Sequence, residues 1–278
     1  MKTIILPTDF SKTATNAAHF AIKLAAQFNI DRIILYNVYQ TGTDMVADPM
    51  IPSLGALDLD VIKNASIEGL KNFKRELIAA SGTQINIEIL SEFTLLTEGI
   101  GALVERENAD LVVMGITGGG AIQEKFFGSN TVSVAKRNAK APVIIVPPNA
   151  KYNQLNKILL VYDFIKPPAT IPLPLKKILN ETNAKLYVLH INTNHEKKVD
   201  IEKESLALNN LFEGYEKEYH FVTGDNFTEP INRFAEENKM DMIIKFPQKH
   251  TLFEAIFKKS HTNMLAFHTH IPLMVVHE

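Results

Sequence analysis

Apolar and polar positions follow two rhythms along this chain. Short continuous apolar runs recur: Thr3 to Phe10 (TIILPTDF), Arg32 to Val38 (RIILYNV), Ile85 to Leu90 (INIEIL), Asp110 to Gly115 (DLVVMG) and Ala141 to Pro147 (APVIIVP). Their length and β-branched content predict strands. Between them the spacing turns helical. Ala14, Ala17, Ala18, Ala21, Leu24, Ala25 and Phe28 share one helix face, and Leu59, Ile62, Leu70, Phe73 and Leu77 mark a second helix. Ile100, Leu103 and Val104 mark a third, and Val132 and Ala135 a fourth. Strands alternating with helices, and strands without a polar face, predict a parallel sheet covered on both sides.

The pattern then repeats. Lys157 to Phe164 (KILLVYDF) restates the first run, Asp-Phe ending included. Lys185 to Ile191 restates the second, Asp241 to Phe246 the Asp-led run, and His270 to His277 the run containing Pro142. Four pairs in the same order imply a duplicated unit. Pro147-Pro148-Asn149-Ala150 and the polar stretch to Asn156 separate the copies, which predicts domains at 1–148 and 153–278. The last strands of the two copies, Val143 to Val146 and Leu273 to Val276, are apolar, and such an edge left exposed invites association.

Composition narrows the chemistry. There is no cysteine among the 278 residues, which excludes disulfides, thiolate catalysis and Cys-ligated metal. Net charge is −2, with 13 basic and 15 acidic residues up to position 150 and 16 of each beyond it. Neither half carries the basic excess that binds phosphate backbones, so nucleic acid is not an expected partner. No apolar run reaches the roughly 18–20 residues of a membrane span. The N-terminal run turns polar by Thr8 without a cleavage site, and a cytoplasmic location is the expectation.

Glycine is distributed unevenly. Eleven of the 13 glycines precede residue 150, and they concentrate in Gly115 to Thr131 (GITGGGAIQEKFFGSNT), between a predicted strand and a predicted helix. Glycine lets main-chain N–H groups approach a phosphate, and a helix N-terminus capped by Ser129 would favour its charge. The segment lacks the Lys-Ser/Thr of a Walker A loop, and Pro7-Thr8-Asp9 stands where a dinucleotide fingerprint would follow the first strand. What it fits is G-x2-G-x9-G-[ST], met by Gly115, Gly118, Gly128 and Ser129.

With that spacing the chain resembles the ATP-binding branch of the universal stress protein family, as a tandem of two modules. The resemblance implies an α/β fold of two tandem Rossmann-like (adenine nucleotide alpha hydrolase-like) domains, each a five-stranded parallel sheet, with the last strands, Val143 to Val146 and Leu273 to Val276, pairing within one chain as a pseudo-dimer and a homodimer left open. It implies an adenine nucleotide (ATP, ADP or AMP) in the first module. Asp9, flanked by Pro7 and Thr8, would meet the ribose or a Mg²⁺ ion. Val38 would meet the adenine edge through its main chain, Met114 and Gly115 would line the ribose side, and Gly118, Gly128, Ser129 and Asn130 would surround the phosphates. Asn130 stands where a small apolar residue is expected.

The second copy departs from this motif. Phe246 and Lys249 face Gly115 and Gly118 in the alignment, and Lys258-Lys259 face Gly128-Ser129. Only Asp163 keeps its counterpart, Asp9, so the second module is expected to have lost the site. His268 and His270, with His250 and His261 near in sequence, read as solvated loop histidines rather than metal ligands. No nucleophile–base pair accompanies the glycines, so at most slow ATP hydrolysis is expected. The first reading is thus a nucleotide-dependent regulatory or stress-response protein with an unidentified protein partner. An ATP-using ligase or nucleotidyl transferase would need a Ser-Gly-Gly loop or a His-x-Gly-His motif where Pro7-Thr8-Asp9-Phe10-Ser11 stands. A ligand-free interaction scaffold is the third reading.

Overall fold

The computed structural model describes residues 1–40, 59–82, 85–116, 129–137, 140–161, 170–192, 201–224, 227–245 and 270–276. Among them the first half runs β1 (Thr3–Pro7), α1 (Lys12–Gln27), β2 (Arg32–Tyr39), α2 (Leu59–Ser81), β3 (Asn86–Phe93), α3 (Leu96–Glu107), β4 (Leu111–Gly115), α4 (Ser129–Arg137) and β5 (Val143–Val146). The second runs β6 (Lys157–Val161), α5 (Leu173–Thr182), β7 (Lys185–Asn192), α6 (Ile201–Leu211), β8 (Lys217–Thr223), α7 (Thr228–Glu237), β9 (Met242–Lys245) and β10 (Leu273–Val275).

The ten strands among the described residues form one sheet in the order β3-β2-β1-β4-β5-β10-β9-β6-β7-β8. Each half has the same order counted outward, and every pairing within a half is parallel. The halves meet at one antiparallel seam, where Val143, Ile144 and Ile145 of β5 face Val275, Met274 and Leu273 of β10. The seam joins the two strands that the family resemblance expects to pair. By register Ile144 and Met274 are equivalent positions, so a pseudo-two-fold passes between them.

Helices cover both faces, which explains the continuous apolar strands. One core layer holds Ile4, Leu6, Leu35 and Val113 against α1 and α2, and continues to Leu160, Val188 and Ile244 against α5 and Leu208 of α6. The other holds Ile5, Tyr36 and Val112 against α3 and α4, and continues to Leu159, Leu189 and Ile243 against α7. Both layers cross the seam. The repeat also holds at atomic detail. Asp110 accepts the Lys2 and Thr3 amides (2.6 and 3.2 Å), and Asp241 accepts those of Asn156 and Lys157 (2.9 and 2.8 Å).

Four details differ from the pattern-based expectation. The first strand stops at Pro7 rather than reaching Phe10. Leu59 is exposed and Ile62 half-exposed, so the buried face of α2 starts at Ser66 and continues through Leu70, Phe73 and Leu77. The helix of 23 residues spans about 35 Å against about 26 Å for the eight of β2, so its first turns overshoot the sheet. On α4 the buried face is Val134 and Ala135, with Val132 only half-buried. Finally, β8 and α5 to α7 complete the second half, where the apolar pattern marks neither.

Candidate functional site

Strand order reverses in the first half between β1 and β4, whose onward connections go to opposite sides. In open α/β sheets a crevice opens there, beyond the carboxyl ends of the strands. Pro7 and Gly115 end these two strands, and Val38 is the penultimate residue of β2 beside them. The structure therefore gathers Pro7, Thr8, Asp9, Val38, Met114 and Gly115 at one edge.

The turn after β1 is built from its own side chains. Thr8, buried, donates its N–H to the Tyr36 carbonyl (2.9 Å) and accepts the Phe10 amide on Oγ1 (3.0 Å). Phe10 adopts the left-handed region (φ 61°), and its ring lies edge-on to Phe73 of α2, with centroids 6.3 Å apart. Exposed Asp9 accepts the Ser11 amide on Oδ1 (3.0 Å), and Ser11 caps α1 by accepting from Ala14 (3.2 Å).

This turn leaves β2 with an open edge. Because the Tyr36 carbonyl points to β1, the main-chain N–H and C=O of Val38, two residues on, point the same way. Continuing the parallel ladder would take the Val38 N–H to the Thr8 carbonyl and the Phe10 N–H to the Val38 carbonyl. Among the described residues neither rung is made. Asn37 Nδ2 donates to the Thr8 carbonyl (2.7 Å), and the Phe10 N–H goes to Thr8 Oγ1. Asn37 is itself held: Ser66 donates to its Oδ1 (2.5 Å), and Ser66 and Ser91 share a hydrogen bond (2.6 Å).

The β4 side is close-packed. Met114 is buried in the core layer shared with α3 and α4. Gly115 is buried against the start of α1, where an added Cβ would lie 2.5 Å from the Thr13 carbonyl oxygen. Its lack of a side chain thus serves helix–strand packing. Thr131, fully buried in the first turn of α4, donates to the Gly115 carbonyl (3.2 Å) and ties the helix start to the strand end. Asn130 is exposed beside it. Gly118, Gly128 and the side chain of Ser129 lie outside the described residues. Asn37 and Thr131 are absent from the sequence-derived set, although an Asn inside a strand is unusual enough to mark the first.

By register the second half places Lys245 where the first has Met114, and His190 where it has Asn37. Both are buried, and burial pushes the Lys245 ammonium down to about 7. Asp163, Phe246, Lys249, Lys258, Lys259, His250, His261 and His268 lie outside the described residues, while His270 is exposed. Among the described residues no group of three or more His, Asp or Glu could hold a metal ion, and no helix is long and apolar enough to cross a membrane.

Comparison with known proteins bears on both halves. Residues 1–147 match the profile of the Universal stress protein family. A universal stress protein of Methanocaldococcus jannaschii is 32% identical over 152 residues, covering 52% of this chain and 81% of that protein. Another, from Thermus aquaticus, is 30% identical over 149 residues, covering 52% and 98%. The crystal structure of a universal stress protein from Archaeoglobus fulgidus superposes over 99% of this chain and 96% of its own (TM-score 0.67, 18% identity), a likeness of fold across both halves.

Proposed function

We infer that this chain, which belongs to the universal stress protein family, binds an adenine nucleotide, ATP foremost, at the carboxyl edge of its first half-sheet and acts as a nucleotide-responsive regulatory protein. The open edge of Val38 carries the reading. A purine bearing an amino group and a ring nitrogen needs an acceptor and a donor side by side, and one residue's main chain offers both. The residues present fit such a ligand. Pro7, Thr8 and Asp9 leave the sheet next to that edge, on the side of the ribose, and Met114 and Gly115 form the opposite wall. Gly118, Gly128, Ser129 and Asn130 would supply main-chain amides and a hydroxyl to the phosphates at the start of α4, where the helix dipole favours negative charge. The Asp9 carboxylate is the group offered to Mg²⁺.

The reading is of a binding protein. The nucleotide brings charge and a hydrolysable bond, and this chain's residues hold and orient it. A bound ligand changes what the protein presents to a partner only if that partner distinguishes the two forms. The second half, with Lys245 at the Met114 position, is read as a module that keeps the fold without this site.

Thermal unfolding tests the proposal. Mg²⁺ and ATP at about 100 times Kd stabilise the native state by about 2.7 kcal/mol, which raises Tm by roughly 5 °C. Gly128→Val is expected to abolish the shift and Lys258→Ala to leave it intact. Nucleotide-free protein whose Tm stays put at millimolar ATP would overturn the reading.

A further inference from the structure

The geometry points to Asn37 as the residue that keeps the Val38 edge open for a base, a specificity-positioning role that rests on the nucleotide reading above. A parallel ladder extends by one rung whenever the next N–H and C=O meet. Here the next acceptor is the Thr8 carbonyl, already engaged by Asn37 Nδ2 at 2.7 Å. The Asn37 side chain thus stands in for the Val38 N–H and ends the β1–β2 ladder one residue early.

Its orientation is fixed from the other side. An amide presents a donor and an acceptor at opposite ends, and the wrong rotation would aim Oδ1 at the Thr8 carbonyl. Ser66 prevents this by donating to Oδ1 at 2.5 Å, and Ser91 completes the chain at 2.6 Å. The relay runs from β3 through α2 to β2 and ends on the residue after β1. Four elements are held in a fixed spacing at the crevice wall. Ser66 is buried, and an unengaged hydroxyl there would carry a desolvation penalty, so the relay is held as a unit.

Amide hydrogen exchange followed by NMR separates this role from a merely structural one. In the wild type the Val38 amide exchanges readily without nucleotide and slows when ATP and Mg²⁺ are added. In Asn37→Leu the freed Thr8 carbonyl captures the Val38 N–H. The Val38 amide is then protected without nucleotide, ATP binds about tenfold more weakly, and the preference for ATP over GTP shrinks. General loosening would do the reverse and speed Val38 exchange. Ser66→Ala leaves Asn37 in place but unoriented and gives a smaller change in the same direction; it carries the test if Asn37→Leu does not fold. Variants whose Val38 exchange and ATP affinity match the wild type overturn the positioning role alone. A wild type whose Val38 amide ignores ATP removes the nucleotide reading, and this inference falls with it.

Discussion

Single residues decide where this fold departs from its own repeat. Lys245 takes the place of Met114, fully buried at a strand end. Its ammonium titrates near 7 when folded and near the ordinary lysine value of about 10.4 when unfolded. Below pH 7 both states hold the proton and the burial penalty is complete. Between about 7 and 10.4 the unfolded chain binds more protons, so stability rises with pH, by up to about 1.4 kcal/mol per pH unit. Urea midpoints measured from pH 7 to 10 are expected to climb for the wild type relative to K245M, and parallel curves would refute this. Asn37 could not be assigned its role from sequence, because that role depends on the Thr8 carbonyl across the strand and on Ser66 in a helix 29 positions away. The place of Asp9 in the turn between β1 and α1, by contrast, is legible in the sequence, because it stands after an apolar run and just ahead of the capping Ser11.

At the scale of elements, the strands buried on both faces were readable because burial leaves continuous apolar runs. Edge strand β8 has no buried face, and its sequence KEYHFVT mixes charged, polar and aromatic residues and so carries no such run. The end of β1 has a tertiary component: the run turns polar at Thr8, and there the side chains of Thr8 and Asn37 take the main-chain partners that a longer β1–β2 ladder would need. Helix α1 meets β4 so closely that Gly115→Ala is expected to destabilise by about 1–3 kcal/mol, since its Cβ would press on the rigid Thr13 carbonyl rather than on a yielding side chain. The cap of α1 is a smaller effect. Ser11→Ala removes the acceptor for the Ala14 amide and should lower stability by about 1 kcal/mol. Chemical denaturation of both variants checks the ranking, which fails if the cap substitution proves the more damaging.

Across the whole molecule the halves are bound by more than the seam. Asn16 donates to the Pro147 and Ala150 carbonyls (2.9 and 3.1 Å), and Gln27 accepts from Tyr152 and from the Leu155 amide, so α1 fastens the connecting segment. Lys177 of α5 reaches Asp110 at 2.8 Å. Burial pushes the Asp110 carboxyl up, but the Lys177 ammonium and the Lys2 and Thr3 amides outweigh it and hold the group below the ordinary value. That contribution is present above about pH 4 and is lost as pH falls through the lowered value. D110N is accordingly expected to be less stable than the wild type at neutral pH, by a margin that narrows in acid. Residues 1–150 alone would bare the Val143–Val146 edge, and light scattering is expected to find them paired. In such a pair every substitution is made twice, so neither crevice can change without the other. Carrying both copies on one polypeptide lifts that constraint and makes their association independent of concentration. Inheritance can then shape one crevice while its counterpart accepts a lysine, and under the nucleotide reading proposed above the assembly would report on one bound molecule where a symmetric partnership would await two.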